Sequence, residues 1–508
     1  MPPSGQKGSR KPGDPARLAA FEVVKAVRVE DAYANLVLPH VLARLGLEGR
    51  DAAFATELAS GTLRQQGTYD AVLAACIDRP LAKVESKVLD LLRLGAHQLL
   101  SMRVPDHAAI STTVDLVRSR SGPGAGGFAN AVLRKVAART LEEWIDEVAP
   151  ARDADPVGWA SVAFSHPRWE VELLGDALAA SPPTDPEAGA GERRQGAPDG
   201  IEALLAADNA PPRVTLVARP GRGTVEELVA EGGEPTAYSP FGVVAPAGSP
   251  TSLSAVSEGR AGVQDEGSQL VAIALAEAPA RSRPVRGEAT SELWLDLCAG
   301  PGGKSALLAA LAAERGASLV ANESQPHRAG LVRRNLALVP REEESSHEND
   351  HRIDRSDDPA AVLVPGAVGV VAADGTRPPF RSGSFDRVLV DAPCTGLGAL
   401  RRRPEARWRR REQDVVELVP LQQALLASAL DLVRPGGVVL YATCSPVLAE
   451  TRGVVESVLA ARRDVDLEPV AGTLATVPDS AGPVPGTVQL WPHRHGTDAM
   501  FMARLRRR

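Results

Sequence analysis

A chain of 508 residues exceeds one ordinary core; at roughly 100 to 200 residues per domain it implies about three units and excludes a small disulfide-stapled module. Apolar residues make up 44% and charged residues 24%, the balance of soluble globular proteins, while 64 acidic against 57 basic side chains leave a net charge of −7. That excludes a blanket polycation for nucleic acid and leaves local basic patches as the places to hold it.

The first 14 residues carry Pro, Gly, Lys and Arg without the apolar stretch of an export signal, and residues 1–14 are expected to be a disordered tail. Asp14-Pro15 reads as a helix N-cap followed by proline at the first helical position, and Leu18, Phe21, Val24 and Val27 then recur at helical spacing. Similar periodicity over 51–64, over 84–100 through Val84, Val88, Leu91, Gly95 and Leu99, and over 128–136 predicts an all-helical domain spanning 15–142. Within 143–262, helical pieces at 169–178 and 201–207 and a strand at 213–217 predict a linker and a small α+β subdomain. The stretch 181–200, dense in Pro, Gly, Glu and Ser, reads as a disordered insert.

From 263 to 508 short apolar runs alternate with helical segments, at 293–297, 318–321, 368–372, 387–390 and 438–441. Strands spaced by helices require crossover connections, so this part is predicted to be an α/β, Rossmann-like parallel sheet covered on both faces. The acidic stretch 341–358 reads as a solvated loop, and the tail Arg504 to Arg508 as a solvated terminus. The longest weakly polar run, 360–373, is broken by Pro365 and Gly366, so no membrane span is expected. Four scattered cysteines, Cys76, Cys298, Cys394 and Cys444, form no disulfide framework and fit a reducing cytoplasm. His493 and His495 lack a third ligand; they read as structural, with no metal expected.

The strand at 293–297 runs into Cys298-Ala299-Gly300-Pro301-Gly302-Gly303-Lys304, with a helix beginning near Ser305. A Walker A loop needs glycine five residues before Gly303, where Cys298 stands, and a dinucleotide G-x-G-x-x-G from Gly300 finds Ser305 in the third place. What survives is the nucleoside-binding turn of an S-adenosylmethionine-dependent methyltransferase. Glu323, ending the next strand, can accept both hydroxyls of a ribose, and Asp374, ending the third, is placed for the adenine amino group.

The fourth strand leads into Asp391-Ala-Pro-Cys394 and the fifth into Tyr441-Ala-Thr-Cys444, bringing two thiols to the same carboxyl edge. Carbon 5 of a cytosine is too poor a nucleophile to take a methyl group from a sulfonium unaided. A thiolate added to carbon 6 makes carbon 5 enamine-like, and Asp391 can hydrogen-bond the base as its ring accepts charge. Either thiol can play this part, because DNA cytosine methyltransferases use the one after Pro, and spacing does not decide between Cys394 and Cys444.

At these motifs the sequence resembles the Sun/Fmu-type bacterial RNA 5-methylcytosine methyltransferases, in the subgroup acting on small-subunit ribosomal RNA. The resemblance covers most of 263–508 through 296–304, 391–396, Leu400-Arg-Arg-Arg-Pro404 with Trp408, 434–437, 441–445 and a closing segment at 489–493 with 496–498. It implies S-adenosylmethionine-dependent methylation of a cytosine in 16S ribosomal RNA, with Cys444 as nucleophile and Cys394 resolving the adduct. Arg50-Asp51, Glu57-Leu58, Gly61-Thr-Leu-Arg64 and Asn130-Ala-Val-Leu-Arg134 resemble the NusB-like RNA-binding domain that precedes the catalytic domain in this subgroup. Pro446 and Ala449-Glu450-Thr451 depart from the family's usual Glu-Glu-Asn, and Thr215-Leu-Val-Ala218 from its Leu-Arg-Val-Asn. A transfer-RNA methyltransferase of the same chemistry and an RNA-binding assembly factor with an inert catalytic domain are the competing readings. The NusB-like part argues against the first and the intact loop and thiols against the second.

Arg401, Arg402, Arg403, Arg407, Arg409, Arg410 and Arg411, with Trp408 among them, crowd a segment shortly after Cys394. Guanidiniums for phosphates and an indole for base stacking make this the expected RNA contact, above all at Arg401, Arg402, Arg403, Arg407 and Trp408. The expected partner is small-subunit ribosomal RNA, met by a monomeric chain.

Overall fold

The structure, a computed structural model, describes residues 14–181, 200–279, 291–337 and 364–508. Apart from Asp14, Ser181 and Gly200, the expected tail 1–14, insert 181–200 and acidic stretch 341–358 lie outside the described residues. The chain divides into two compact units.

The helical unit takes its described residues from Met1–Glu172, Asp208–Ala210 and Leu400–Arg409. Its first helix, Pro15–Val29, is capped as the sequence predicts, with the Asp14 carboxylate accepting from the Arg17 amide at 3.0 Å. Helices Gly49–Arg64, Gln66–Cys76 and Ser86–Leu100 supply Leu58, Leu63, Tyr69, Leu73, Leu91 and Leu92 to one core. The segment expected to be helical over 128–136 is the last part of a longer helix, Asp106–Val136, kinked at Gly122 where φ is 89°. Gly122-Pro123-Gly124 interrupts the apolar spacing there, which is why the sequence showed only its far half.

The other unit carries two sheets. The smaller contains β1 (Thr215–Ala218), β2 (Glu234–Pro235), β3 (Gly242–Val244) and β4 (Ala261–Val263) in the order β2-β3-β1-β4, with antiparallel neighbours throughout. The larger contains β5 (Leu293–Asp296), β6 (Ser318–Glu323), β7 (Ala367–Ala372), β8 (Phe385–Asp391), β9 (Val433–Thr443), β10 (Val465–Glu468), β11 (Val488–Gln489) and β12 (Phe501–Arg507). Its order is β10-β12-β9-β8-β5-β6-β7, and the five strands from β5 to β9 are mutually parallel.

Alternation along these strands builds two cores. Trp294, Leu389 and Leu440 point into the one covered by helices Glu266–Ala276 and Gly303–Glu314, while Leu295, Val388, Val390 and Val439 point into the other. Helix Glu412–Leu432 covers that second face. It is long and apolar enough by composition to cross a membrane, but Leu425, Leu426, Ala429 and Leu430 are buried in the core it shares with β8 and β9. Because β5 leads outward to β6 and β7 while β8 lies on its other side, the strand order reverses between β5 and β8. Ligands of open α/β sheets sit beyond the carboxyl ends of the strands at such a reversal.

The terminus corrects an expectation. Arg504 to Arg508 is no solvated tail: residues through Arg507 form β12, which lies between β9 and β10. Buried Arg506 donates to both Glu468 oxygens, at 2.5 and 2.8 Å, and to the Gly436 and Pro279 carbonyls. Buried Arg504 donates to Thr473 Oγ1 at 2.7 Å and to the Pro469 carbonyl. An interior strand tolerates these guanidiniums because most of their donors meet a carboxylate, a hydroxyl or a carbonyl.

Candidate active site

The carboxyl ends of β5 and β6 shape the glycine loop. Gly302 has φ 113°, and a Cβ there would come within 2.9 Å of Asn335 Cβ and 3.0 Å of Val332 Cα, so only glycine fits. The helix that follows begins at Gly303, where a Cβ would meet nothing within 4 Å, leaving open space at its N-terminus. Glu323 is buried; its carboxylate accepts the Gly300 amide at 3.0 Å and the Gln325 amide at 3.0 Å, with Arg328 3.7 Å away. Asp296 is fully buried beneath the loop and accepts from Ser305 Oγ at 2.6 Å; burial pushes its carboxyl up to about 7. Burial likewise raises the Cys298 thiol well above its ordinary range, so this cysteine packs as a neutral group. Ala299, Gly300 and Pro301 carry the turn between these acids. Asp374 stands exposed two residues after β7, its carboxylate held by the Thr376 amide at 2.9 Å and Thr376 Oγ1 at 2.8 Å. A loop where one glycine leaves no room and the next leaves an open cradle, flanked by a buried carboxylate, fits a nucleoside cofactor.

Lys304 reaches from the loop to Asp391 at the end of β8, Nζ to Oδ2 2.8 Å. Burial opposes its charge, but Asp391, and then Cys444 and Asp296, outweigh that cost and leave the ammonium pKa raised. Three residues further on, Cys394 Sγ lies 3.4 Å from Cys444 Sγ. The two thiols predicted to share the edge are thus in contact. The bond to Cys444, reinforced by burial, raises the Cys394 thiol well above its ordinary range.

One residue of this site was read in the sequence only as part of a departure from the family's pattern. Glu450, beyond the Cys444 turn, is 0% exposed and accepts from the Thr395 amide at 2.8 Å, Thr395 Oγ1 at 2.6 Å, Ser445 Oγ at 2.5 Å and Gln422 Nε2 at 3.0 Å. Two hydroxyls and an amide beside the cysteines need an acceptor, and that was the available signal: a carboxylate soon after Thr-Cys-Ser. Arg410 closes the same loop by donating to the Thr395 carbonyl at 2.9 Å.

The arginine segment is placed differently from the expectation. Leu400–Arg409 belongs to the helical unit, and Arg407, expected to meet phosphate, is 0% exposed there. Its guanidinium donates to the carbonyls of Arg64 at 2.9 Å, Ser165 at 3.3 Å and Asp208 at 2.9 Å, and to Asn209 Oδ1 at 2.7 Å. Those acceptors leave Arg407 no face for RNA, a correction that extends to Arg401, which is also buried. Arg409 donates to the Val27 and Ala32 carbonyls. Arg403 and Trp408 remain exposed, Arg403 over the Tyr33 ring at 4.9 Å, and Arg402 is half-buried. His495 is structural, its Nδ1 accepting the Trp491 amide at 2.8 Å.

Comparison with known proteins follows the same lines. Residues 287–506 match the family model described as 16S rRNA methyltransferase RsmB/F, and residues 14–138 match the NusB family. The chain is 48% identical to the "Putative methyltransferase" of Mycobacterium tuberculosis (strain ATCC 25618 / H37Rv), over 100% of both chains. It is 32% identical to the ribosomal RNA small subunit methyltransferase B of Pseudomonas putida, over 90% of this chain and 92% of that one. The crystal structure of PH0851 shares the fold with a TM-score of 0.71, covering 99% of this chain and 100% of that one at 21% identity. An identity of 32% sustained over 90% of the chain carries more than a shared fold: this protein belongs to the 16S rRNA methyltransferase RsmB/F family, RNA methyltransferases that use S-adenosylmethionine.

Proposed function

We propose that this protein methylates carbon 5 of a cytosine in 16S ribosomal RNA through a transient bond between Cys444 and carbon 6 of the base. The observation that carries this reading is the pair of thiols 3.4 Å apart beyond β8 and β9. S-adenosylmethionine, held by the loop from Cys298 to Lys304 with Glu323, supplies an electrophilic methyl group when bound.

The remaining steps fall to the chain's own residues. An ordinary thiol with a pKa near 8.5 is only about 3% ionised at neutral pH. The contact with Cys444 and burial raise the Cys394 thiol, which disfavours it as the nucleophile, while the Lys304 ammonium interacts favourably with a charge on Cys444. The Cys444 thiolate adds to carbon 6 and the electron pair moves toward carbon 5, while Asp391, oriented by Lys304, hydrogen-bonds the base as the ring takes up charge. After carbon 5 is methylated, water acting as base takes its proton, that C–H pair re-forms the carbon 5–carbon 6 double bond, and the Cys444 sulfur departs as thiolate with its bonding pair. Cys394, in contact with that sulfur, assists this release. A ribosomal substrate places the activity in the cytoplasm.

Bisulfite sequencing of ribosomal and transfer RNA, from cells with and without the gene, tests the substrate; a change confined to transfer RNA overturns the ribosomal reading. For the mechanism, Cys444→Ala is expected to abolish methylation while calorimetry shows unchanged S-adenosylmethionine binding. Cys394→Ala is expected to accumulate a covalent protein–RNA adduct on a denaturing gel. Turnover in Cys444→Ala rules out its role as nucleophile.

A further inference from the structure

Thr395 directly follows Cys394 and Ser445 directly follows Cys444, and one fully buried carboxylate binds both. The same acid is gripped on its other side by Gln422 Nε2, which also donates to the Pro393 carbonyl at 2.9 Å. Tyr441 Oη fixes the backbone, donating to the Glu450 carbonyl at 2.7 Å. The loops touch at two further points, Thr395 Oγ1 to Ser445 Oγ at 3.0 Å and the Gly398 amide to the Cys444 carbonyl at 2.9 Å. Glu450 belongs neither to the cofactor loop nor to the sulfur pair, yet it is bound to the residue following each sulfur. We infer that Glu450 is a positioning residue that clasps the Cys394 and Cys444 loops together and so sets the distance between the two sulfurs. The inference rests on the thiol-based reading above for its catalytic meaning, but not for its geometry.

The clasp has a physical basis. A carboxylate accepting four hydrogen bonds in a dry interior is a stiff junction, because every donor left behind would be unsatisfied. Sharing such a junction stiffens two loops that the Thr395–Ser445 and Gly398–Cys444 contacts already bring together, and so fixes the distance between their sulfurs. A shift of about 1 Å in a reacting group can cost on the order of 100-fold in rate.

The test reads the thiols directly, in the full-length protein and without RNA. The rate of Cys444 alkylation by iodoacetamide is followed by mass spectrometry against pH, with the buried Cys76 as internal reference. Removing a negative charge near a thiol lowers its midpoint, whereas losing the hydrogen bond from Cys394 raises it, so the two roles have opposite signs. Glu450→Ala is expected to raise the midpoint by about one pH unit, the size of one lost hydrogen bond to a charged acceptor. Glu450→Gln, which keeps the shape and can still bond both hydroxyls, is expected to stay at or below wild type. Thr395→Val, which alters no charge, is expected to raise the midpoint, and it carries the test if Glu450→Ala does not fold. A Glu450→Ala midpoint at or below wild type, or an unchanged Thr395→Val profile, overturns the clasp. Methyl transfer is measured separately: a failed substrate assignment leaves the alkylation result standing, and a failed clasp leaves the substrate assignment standing.

Discussion

Glu450 and Arg407 are mirror images in chemistry and opposites in consequence. Each is a charged side chain at 0% exposure, the acid ringed by donors in the sheet-containing unit, the base ringed by carbonyls in the helical one. The acid's donors flank the two sulfurs of Cys394 and Cys444; the base's acceptors are three backbone carbonyls and the Asn209 side-chain oxygen. What a buried charge can influence therefore depends on what its partners adjoin.

Removing the guanidinium is the harshest way to break this comparison. Arg407→Ala strands three carbonyls and an amide oxygen in a closed interior, and is expected to cost the helical unit about 3 to 5 kcal/mol. Denaturant unfolding measures this; a loss under 1 kcal/mol would mean that water reaches those carbonyls. Glu323 sits between the two cases, since one of its donors, the Gly300 amide, belongs to the glycine loop. Glu323→Ala is expected to weaken S-adenosylmethionine binding by about 1 to 3 kcal/mol, read by calorimetry. An unchanged dissociation constant places it outside the ribose site. The smallest effect belongs to Arg403, the exposed neighbour of Arg407 on the same segment. Arg403→Ala is expected to lower the salt slope of RNA binding by about 0.7 to 0.9, one phosphate contact, with stability unaltered. An identical slope moves the search for RNA contacts to the NusB-like part around Arg134, in helix Asp106–Val136.

The sequence was most readable where chemistry demands a residue type at a strand end. Gly302, Glu323, Asp391 and Cys444 each lie at or just beyond the end of a short apolar run bounded by helical segments, so motif and location reinforce one another. Legibility failed wherever burial reversed the usual meaning of a charge. Arg407 and Arg403 are indistinguishable in a run of arginines, and only packing separates the staple from the exposed group. Arg504 and Arg506 read as solvated because their partners, Glu468, Thr473 and backbone carbonyls, lie 31 or more positions away. Glu450 is one acid among 64, and its meaning comes from donors on three separate segments.

The position of β12 bears on how the chain is made. Its neighbours β9 and β10 both precede it, so during synthesis β9 leaves the ribosome with one edge unpaired until Phe501 and the residues after it arrive. Translation at about 5 to 20 residues per second makes that a wait of several seconds. Over that interval a long apolar strand presents free backbone donors and acceptors, the arrangement most open to pairing with another nascent chain. The thiol Cys444, one residue beyond the end of β9, therefore acquires its final surroundings only when the last strand slots into place.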